Sequence, residues 1–305
     1  MSLPKKLRPL GEFFKPFVFF GSLFSILGMA AASNFKIKVP IYVEFLTPIA
    51  MLFVLVAINT IDDYIDFYVG IDQKAPQTKF SGGSNNYIAN KKISPNGALA
   101  GALLAFAVAL SIGIYLANAY PIIIPFIIVG SITIFLYASL FVYIPFLSEL
   151  IVMLNYTLIM YASFLLMRES YTNSANTMFV FVPAAILAAM VLFINSIPDM
   201  KADGAFKRRT AAVLLKTNGK LSKYYLFWSI LAFAILAIGI ASGRVSLLFS
   251  AEFGLLPIMA TVYKNTKNYK DPKKFEQVMG KNIVLMAAFV IIAIILYLLN
   301  LNYYL

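Results

Sequence analysis

Residues 59–72 read Asn59-Thr60-Ile61-Asp62-Asp63-Tyr64-Ile65-Asp66-Phe67-Tyr68-Val69-Gly70-Ile71-Asp72, and they close an apolar run, 41–58, whose one charged residue is Glu44. Asn59, Asp62, Asp63 and Asp66 stand at i, i+3, i+4 and i+7, so on a helix they share one face. Three carboxylates within two turns repel one another, and at membrane depth each is costly unless a cation or a hydrogen-bond donor offsets it. A second stretch, Asn195-Ser196-Ile197-Pro198-Asp199-Met200-Lys201-Ala202-Asp203, again sets Asn, Asp and Asp at four-residue steps at the end of an apolar run. Pro198 lacks an N–H and is expected to kink or restart that helix.

The rest of the chain explains why so few polar residues matter. Of 305 residues 61% are hydrophobic and 12% charged, with a mean hydropathy of +0.83. A soluble domain carries about 25% charged residues, so a soluble enzyme is excluded. The expectation is an all-α polytopic protein, 1–305 forming a single transmembrane domain. At about 20 apolar residues per crossing, nine spans are predicted, near 15–33, 41–61, 97–118, 121–141, 147–167, 177–197, 224–242, 245–263 and 283–303. The net charge of +12 at pH 7 suggests nucleic acid only until it is mapped. With the N-terminus inside, 21 of the 25 Lys and Arg fall on inside segments, and only Lys36, Lys38, Arg168 and Arg244 fall outside. Such a bias is topological; it places the protein in the cytoplasmic membrane, N-terminus inside and C-terminus outside, with membrane lipids rather than nucleic acid around it. No obligatory protein partner is implied. The segment 264–282 reads as a solvated basic loop drawn to anionic headgroups.

The absence of Cys excludes disulfides and thiolate catalysis, and the absence of His removes the commonest general base and transition-metal ligand. Sites built from Asp, Glu, Asn and carbonyl oxygens suit Mg²⁺, or else protons or sodium. The two acidic stretches recur four spans apart in one orientation, the mark of a pseudo-repeat of four-helix units. In a bundle around a central cavity they would face each other, and opposed carboxylate clusters invite Mg²⁺ bridging a polyanion, most naturally a diphosphate. Inside loops near 67–96 and 198–223 supply the complementary charge: Lys74 and Lys79 beside the first cluster, and Lys201, Lys207, Arg208 and Arg209 beside the second. An ion-coupled transporter also builds sites from intramembrane carboxylates, but nearer the bilayer midplane. A membrane phosphotransferase would carry D-x-x-D-G-x-x-A-R, which is absent.

Together these residues resemble the UbiA superfamily of intramembrane prenyltransferases, whose nine helices carry Asp-rich motifs on the second and sixth. Asp62-Asp63-Tyr64-Ile65-Asp66 followed by Gly70-Ile71-Asp72 is most similar to the menaquinone-type branch, N-D-Y-x-D then G-x-D. Asn195 to Asp203, with Lys207-Arg208-Arg209-Thr210 and Lys216-Thr217-Asn218-Gly219, resembles the second motif and its loop. The resemblance spans essentially the whole chain in span number and motif placement, with departures. Asp62 stands where the family usually has Asn, Asn59 lying one turn earlier. Val142 stands where a Lys is expected near the end of the fourth helix, although Tyr137 and Tyr143 are at hand.

The resemblance implies Mg²⁺-dependent transfer of a prenyl group from an isoprenyl diphosphate, geranyl or geranylgeranyl for example, to a lipophilic or aromatic acceptor through an allylic carbocation. The pathway would be quinone or lipid biosynthesis. It assigns the metal to Asp62, Asp66, Asp199 and Asp203, and catalysis to Asp63, Asp66 and Asp199, Asp63 binding metal through water or taking the acceptor's proton. Diphosphate contacts fall to Asn59, Lys74, Lys79, Asn195, Lys207, Arg208, Tyr143 and Lys15, the last matching a basic residue the family places in its first helix. A quinone precursor, a glyceryl ether lipid, a porphyrin and a carotenoid stay open as acceptors.

Overall fold

The computed structural model describes residues 18–32, 39–72, 74, 87–168, 174–217 and 219–299. Every regular element among them is helical. In chain order these are α1 (Phe19–Ala32), α2 (Ile41–Val69), α3 (Pro95–Ala119), α4 (Ile124–Ser139), α5 (Leu147–Arg168), α6 (Met178–Ser196), two short helices α7 (Met200–Ala205) and α8 (Ala211–Leu214), then α9 (Lys220–Ala241), α10 (Leu256–Asn265) and α11 (Pro272–Leu299). Eight helical segments are long and apolar enough to cross a membrane, α10 counting with the 3₁₀ turns that flank it. The shorter α1 is the ninth predicted span, and the start of that span lies outside the described residues.

Two boundaries differ from the sequence reading in ways that matter. The second helix does not stop at 61 but runs two further turns to Val69, carrying the whole acidic face with it. It ends because Gly70 adopts the left-handed conformation, φ 87°, and donates its N–H to the Asp66 and Phe67 carbonyls, a geometry glycine takes without steric cost. Pro198 restarts the sixth helix as α7, as expected. The segment 264–282 is not a loop: α10, a 3₁₀ turn and the first turns of α11 account for most of it.

Helix α6 is the axis of the molecule. Buried residues surround it on all sides, from Val180 to Ile194, as befits a helix apolar all round. It packs on α5, α9 and α11, while α1 lies against α5, α2 and α11. α2 packs on α3 as α6 packs on α9, and α1 on α2 as α5 on α6, the pairing expected of a repeat of four spans. The outer helices show lipid a row of large side chains, among them Ile128, Ile132, Leu104 and Phe227.

Lipid gives helices no hydrophobic reason to associate, so small residues and buried hydrogen bonds hold them. A Cβ at Gly21 would lie 2.5 Å from the Met51 carbonyl oxygen, and one at Gly28 would run into that of Met160; glycine thus sets α1 tightly on α2 and α5. Asn282 of α11 accepts from the Tyr225 hydroxyl of α9 at 3.0 Å and donates to the Met190 carbonyl of α6 at 2.9 Å. Gly28→Val is expected to wedge α1 from α5 and destabilise the protein by about 1–3 kcal/mol, read as a lower thermal unfolding midpoint in detergent.

Candidate functional site

A polar cavity of about 310 Å³ lies at the end of the bundle where α2 and α6 carry their acids. The face predicted for α2 is the face that lines it: Asn59, Asp62, Asp63 and Asp66 all reach the cavity, followed by Ile71 and Asp72 beyond the Gly70 turn. From the other half-molecule come Asn195, Ser196, Asp199, Asp203, Arg208 and Thr210. The two acidic stretches therefore share one space.

Among the described residues, the Arg208 guanidinium joins them. Arg208 pairs with Asp66 through both terminal nitrogens, the Nη1 bond measuring 3.1 Å to Oδ2. The same Nη1 lies 3.5 Å from Asp203 Oδ1, and Nη2 3.9 Å from Asp62 Oδ1. Asp66, Asp203 and Arg208 are all at most 9% exposed. Such a bidentate, charge-assisted pair suits the planar arginine fork and not a lysine. Burial by itself would lower the pKa of the guanidinium, but the carboxylates of Asp66, Asp62 and Asp203 reverse this and raise it. On α7, burial pushes the Asp203 carboxyl up to about 6 against the opposing pull of Arg208.

Backbone and buried hydrogen bonds hold Arg208 in place. The Arg209 N–H donates to the Val142 carbonyl at 2.8 Å, and the Phe146 N–H to the Arg209 carbonyl at 3.4 Å. Thr210 caps α8, and Glu149, almost wholly buried, accepts from the Ala211 N–H at 2.9 Å. The loop after the second motif is thereby sewn to the link between α4 and α5. Val142, where the family pattern leads one to expect Lys, is buried, and its carbonyl is what the loop uses.

Other predicted residues are placed differently. The Lys74 ammonium sits 4.9 Å above the Phe206 ring, outside the cavity lining. Lys207 is exposed, with φ of 62°, and its neighbour Arg208 turns inward instead. Tyr143 is half-buried outside the lining, whereas Tyr137, one helix turn and a half earlier, faces the cavity. Lys15 and Lys79 lie outside the described residues. Asn155 and Tyr156 of α5 line the cavity too, and the sequence reading missed both. They are adjacent, beside Thr157, on an otherwise apolar stretch of helix, and the one available signal was an Asn in a membrane span.

Among the described residues no three acidic side chains are gathered closely enough to hold a metal as they stand, because the guanidinium occupies the space between them. The donor set nonetheless suits a hard cation: it is made of oxygens, and Asn195 Oδ1 is buried here with no hydrogen-bond partner. Arg208→Gln removes the guanidinium that joins Asp66 to Asp203 and is expected to cost about 3–5 kcal/mol, seen as a lower unfolding midpoint in Mg²⁺-free detergent. Pairing it with Asp66→Asn should recover part of the loss, so that the double-variant cost falls below the sum of the two single costs.

Comparison with known proteins accords with this geometry. The family model described as the UbiA prenyltransferase family matches residues 21–286. Comparison with curated proteins gives no match. Among solved structures, an apo UbiA homolog from Aeropyrum pernix K1 superposes with a TM-score of 0.66 at 14% identity, over 91% of this chain and 98% of that one. A digeranylgeranylglyceryl phosphate synthase gives 0.61 at 15% identity, over 97% and 99%. A UbiA homolog from Archaeoglobus fulgidus bound to GPP and Mg²⁺ gives 0.58 at 15% identity, over 97% and 99%. At such identities the structures establish the shared fold, and the family model, covering most of the sequence, establishes the lineage: the chain belongs to the UbiA prenyltransferase family.

Proposed function

We propose that this protein transfers a prenyl group from an isoprenyl diphosphate to a lipophilic acceptor within the cytoplasmic membrane, with Mg²⁺ as cofactor. The observation that carries the reading is that both acidic stretches and Arg208 line one cavity. That cavity also shares walls with an apolar one deeper in the bundle. A ligand with a polyanionic head and a hydrocarbon tail fits this sequence of surfaces. The Archaeoglobus homolog bound to GPP and Mg²⁺ is in keeping with it.

Asp62, Asp66, Asp199 and Asp203 would hold the metal, which when bound supplies positive charge to the departing diphosphate. Among the described residues Arg208 is the cation that lines the cavity, and its guanidinium fork matches phosphate oxygens as well as it matches carboxylates. The bond between the prenyl C1 and its bridging oxygen breaks with both electrons going to diphosphate, and an electron pair of the acceptor closes on C1. Tyr137 and Tyr156 lie in the cavity wall, where aromatic rings stabilise an allylic cation between these events, and the buried setting keeps water from trapping it. Asp63, buried on the same face of α2, takes the proton the acceptor sheds. The acceptor belongs to quinone or lipid synthesis. The largely hydrocarbon walls of the adjoining cavity support a lipophilic acceptor.

The test is incubation of purified protein with Mg²⁺, radiolabelled geranylgeranyl diphosphate and a panel of acceptors: a quinone precursor, a glyceryl ether phosphate, a porphyrin and a carotenoid. Label should move to one class and should stop when Mg²⁺ is chelated. Asp66→Ala and Asp199→Ala should each lower turnover at least about a hundredfold, the scale of losing one electrostatic contact to a developing anion, while far-ultraviolet circular dichroism stays helical. Undiminished Mg²⁺-dependent transfer in either variant would remove that residue from the site. Absence of transfer to every acceptor, with solute flux in proteoliposomes instead, would favour a carrier.

A further inference from the structure

The apolar cavity, about 130 Å³, is enclosed by α2, α3, α4 and α5 and shares Leu55, Ile58, Asn155 and Ile159 with the polar one. Polar side chains in its wall are mostly satisfied by backbone: the hydroxyls of Thr47, Thr133 and Ser163 donate to the carbonyls of Val43, Gly130 and Ile159 at 2.7–2.9 Å. What remains to meet a ligand is mostly hydrocarbon. On α4 the face turned inward runs from Tyr137 in the polar cavity through Ile134, Gly130 and Ile127 to Ile123. The opposite face, with Ile124, Ile128 and Ile132, is exposed to lipid.

Gly130 stands midway along that inward face. A Cβ built there meets nothing within 4 Å, unlike one at Gly113 across the same cavity, which would lie 3.2 Å from Ile127. The missing side chain at Gly130 therefore leaves open space rather than permitting a close helix approach. At 1.5 Å per residue, Tyr137 to Gly130 spans about 10 Å and Tyr137 to Ile123 about 21 Å. The second wall agrees: on α2, Asp62 to Thr47, also part of the lining, spans about 22 Å. With carbon–carbon bonds of about 1.5 Å, an extended isoprene unit advances roughly 5 Å. The lined length thus takes about four units, and the stretch above Gly130 about two.

We infer that the absent side chain at Gly130 sets the length of donor chain this protein accepts, opening the lower half of the cavity to a geranylgeranyl-length tail. The inference rests on the proposed prenyl transfer and adds the place of the tail and the residue that measures it. The Thr133 hydroxyl, bonded to the Gly130 carbonyl and 3.2 Å from Asn155 Oδ1, ties α4 to α5 at this level and keeps the wall from yielding.

Gly130→Phe should fill the lower half without displacing backbone, and removal of an interior helix glycine favours folding. With purified full-length protein, the ratio of kcat/KM for geranylgeranyl to geranyl diphosphate should drop at least about tenfold. Ile128→Phe, on the lipid face of the same helix, should leave that ratio unchanged. Equilibrium binding of the two radiolabelled diphosphates, read beside turnover, should show the same discrimination. A ratio unaltered in Gly130→Phe, or discrimination that appears for the acceptor's chain and not the donor's, overturns the inference and leaves prenyl transfer standing. Failure of the unsubstituted protein to bind either diphosphate overturns both.

Discussion

Asp66 and Asp203 come from different halves of the chain, are both buried, and would repel each other across the cavity were Arg208 not between them. The acidic end of the bundle depends on this ion-pair cluster. Carboxylates in a low-dielectric setting persist only when something offsets their charge, and among the described residues the guanidinium of one loop residue does this for Asp66 and Asp203. The loop has to be positioned for this, which explains why so much nearby structure is devoted to it: the Arg209 and Phe146 backbone bonds, the Thr210 cap and the buried Glu149. Glu149, buried at the start of α5, anchors the turn that opens α8.

Glycine has three different duties in the same membrane domain. At Gly70 it allows a backbone sign change that ends α2 and turns Asp72 back to the cavity. At Gly21 and Gly28 it permits helices to touch. At Gly130 it does neither and leaves a space. The sequence letter is identical in each case, and only the surroundings separate a conformational need from a packing need and a packing need from a vacancy.

The cavities form a gradient from charge to hydrocarbon along the bundle axis, matched to a ligand charged at one end and apolar at the other. Membrane helices make such a gradient readily, because the face that is polar at the interface becomes apolar within three turns. On α2 the same stripe passes from Asp66 through Asp62 and Asn59 to Ile58 and Leu55.

The sequence by itself determined the membrane class, the number of spans within the limits of a short first helix, and the acidic face of α2. All of these are periodic or compositional, so they survive without knowledge of neighbours. Asn59, Asp62, Asp63 and Asp66 repeat at helical spacing, which places them on one face from the sequence alone. Tertiary structure decided what has no period. Arg208 and Lys207 are adjacent cations in one loop, and only the left-handed turn at Lys207 sends Arg208 inward. Tyr137 and Tyr143 lie on the same short stretch, and only the end of α4 at Ser139 separates the one that lines the cavity from the one that does not. A single polar residue gains its role from what surrounds it in space, and those neighbours are brought together by packing between helices distant in the chain.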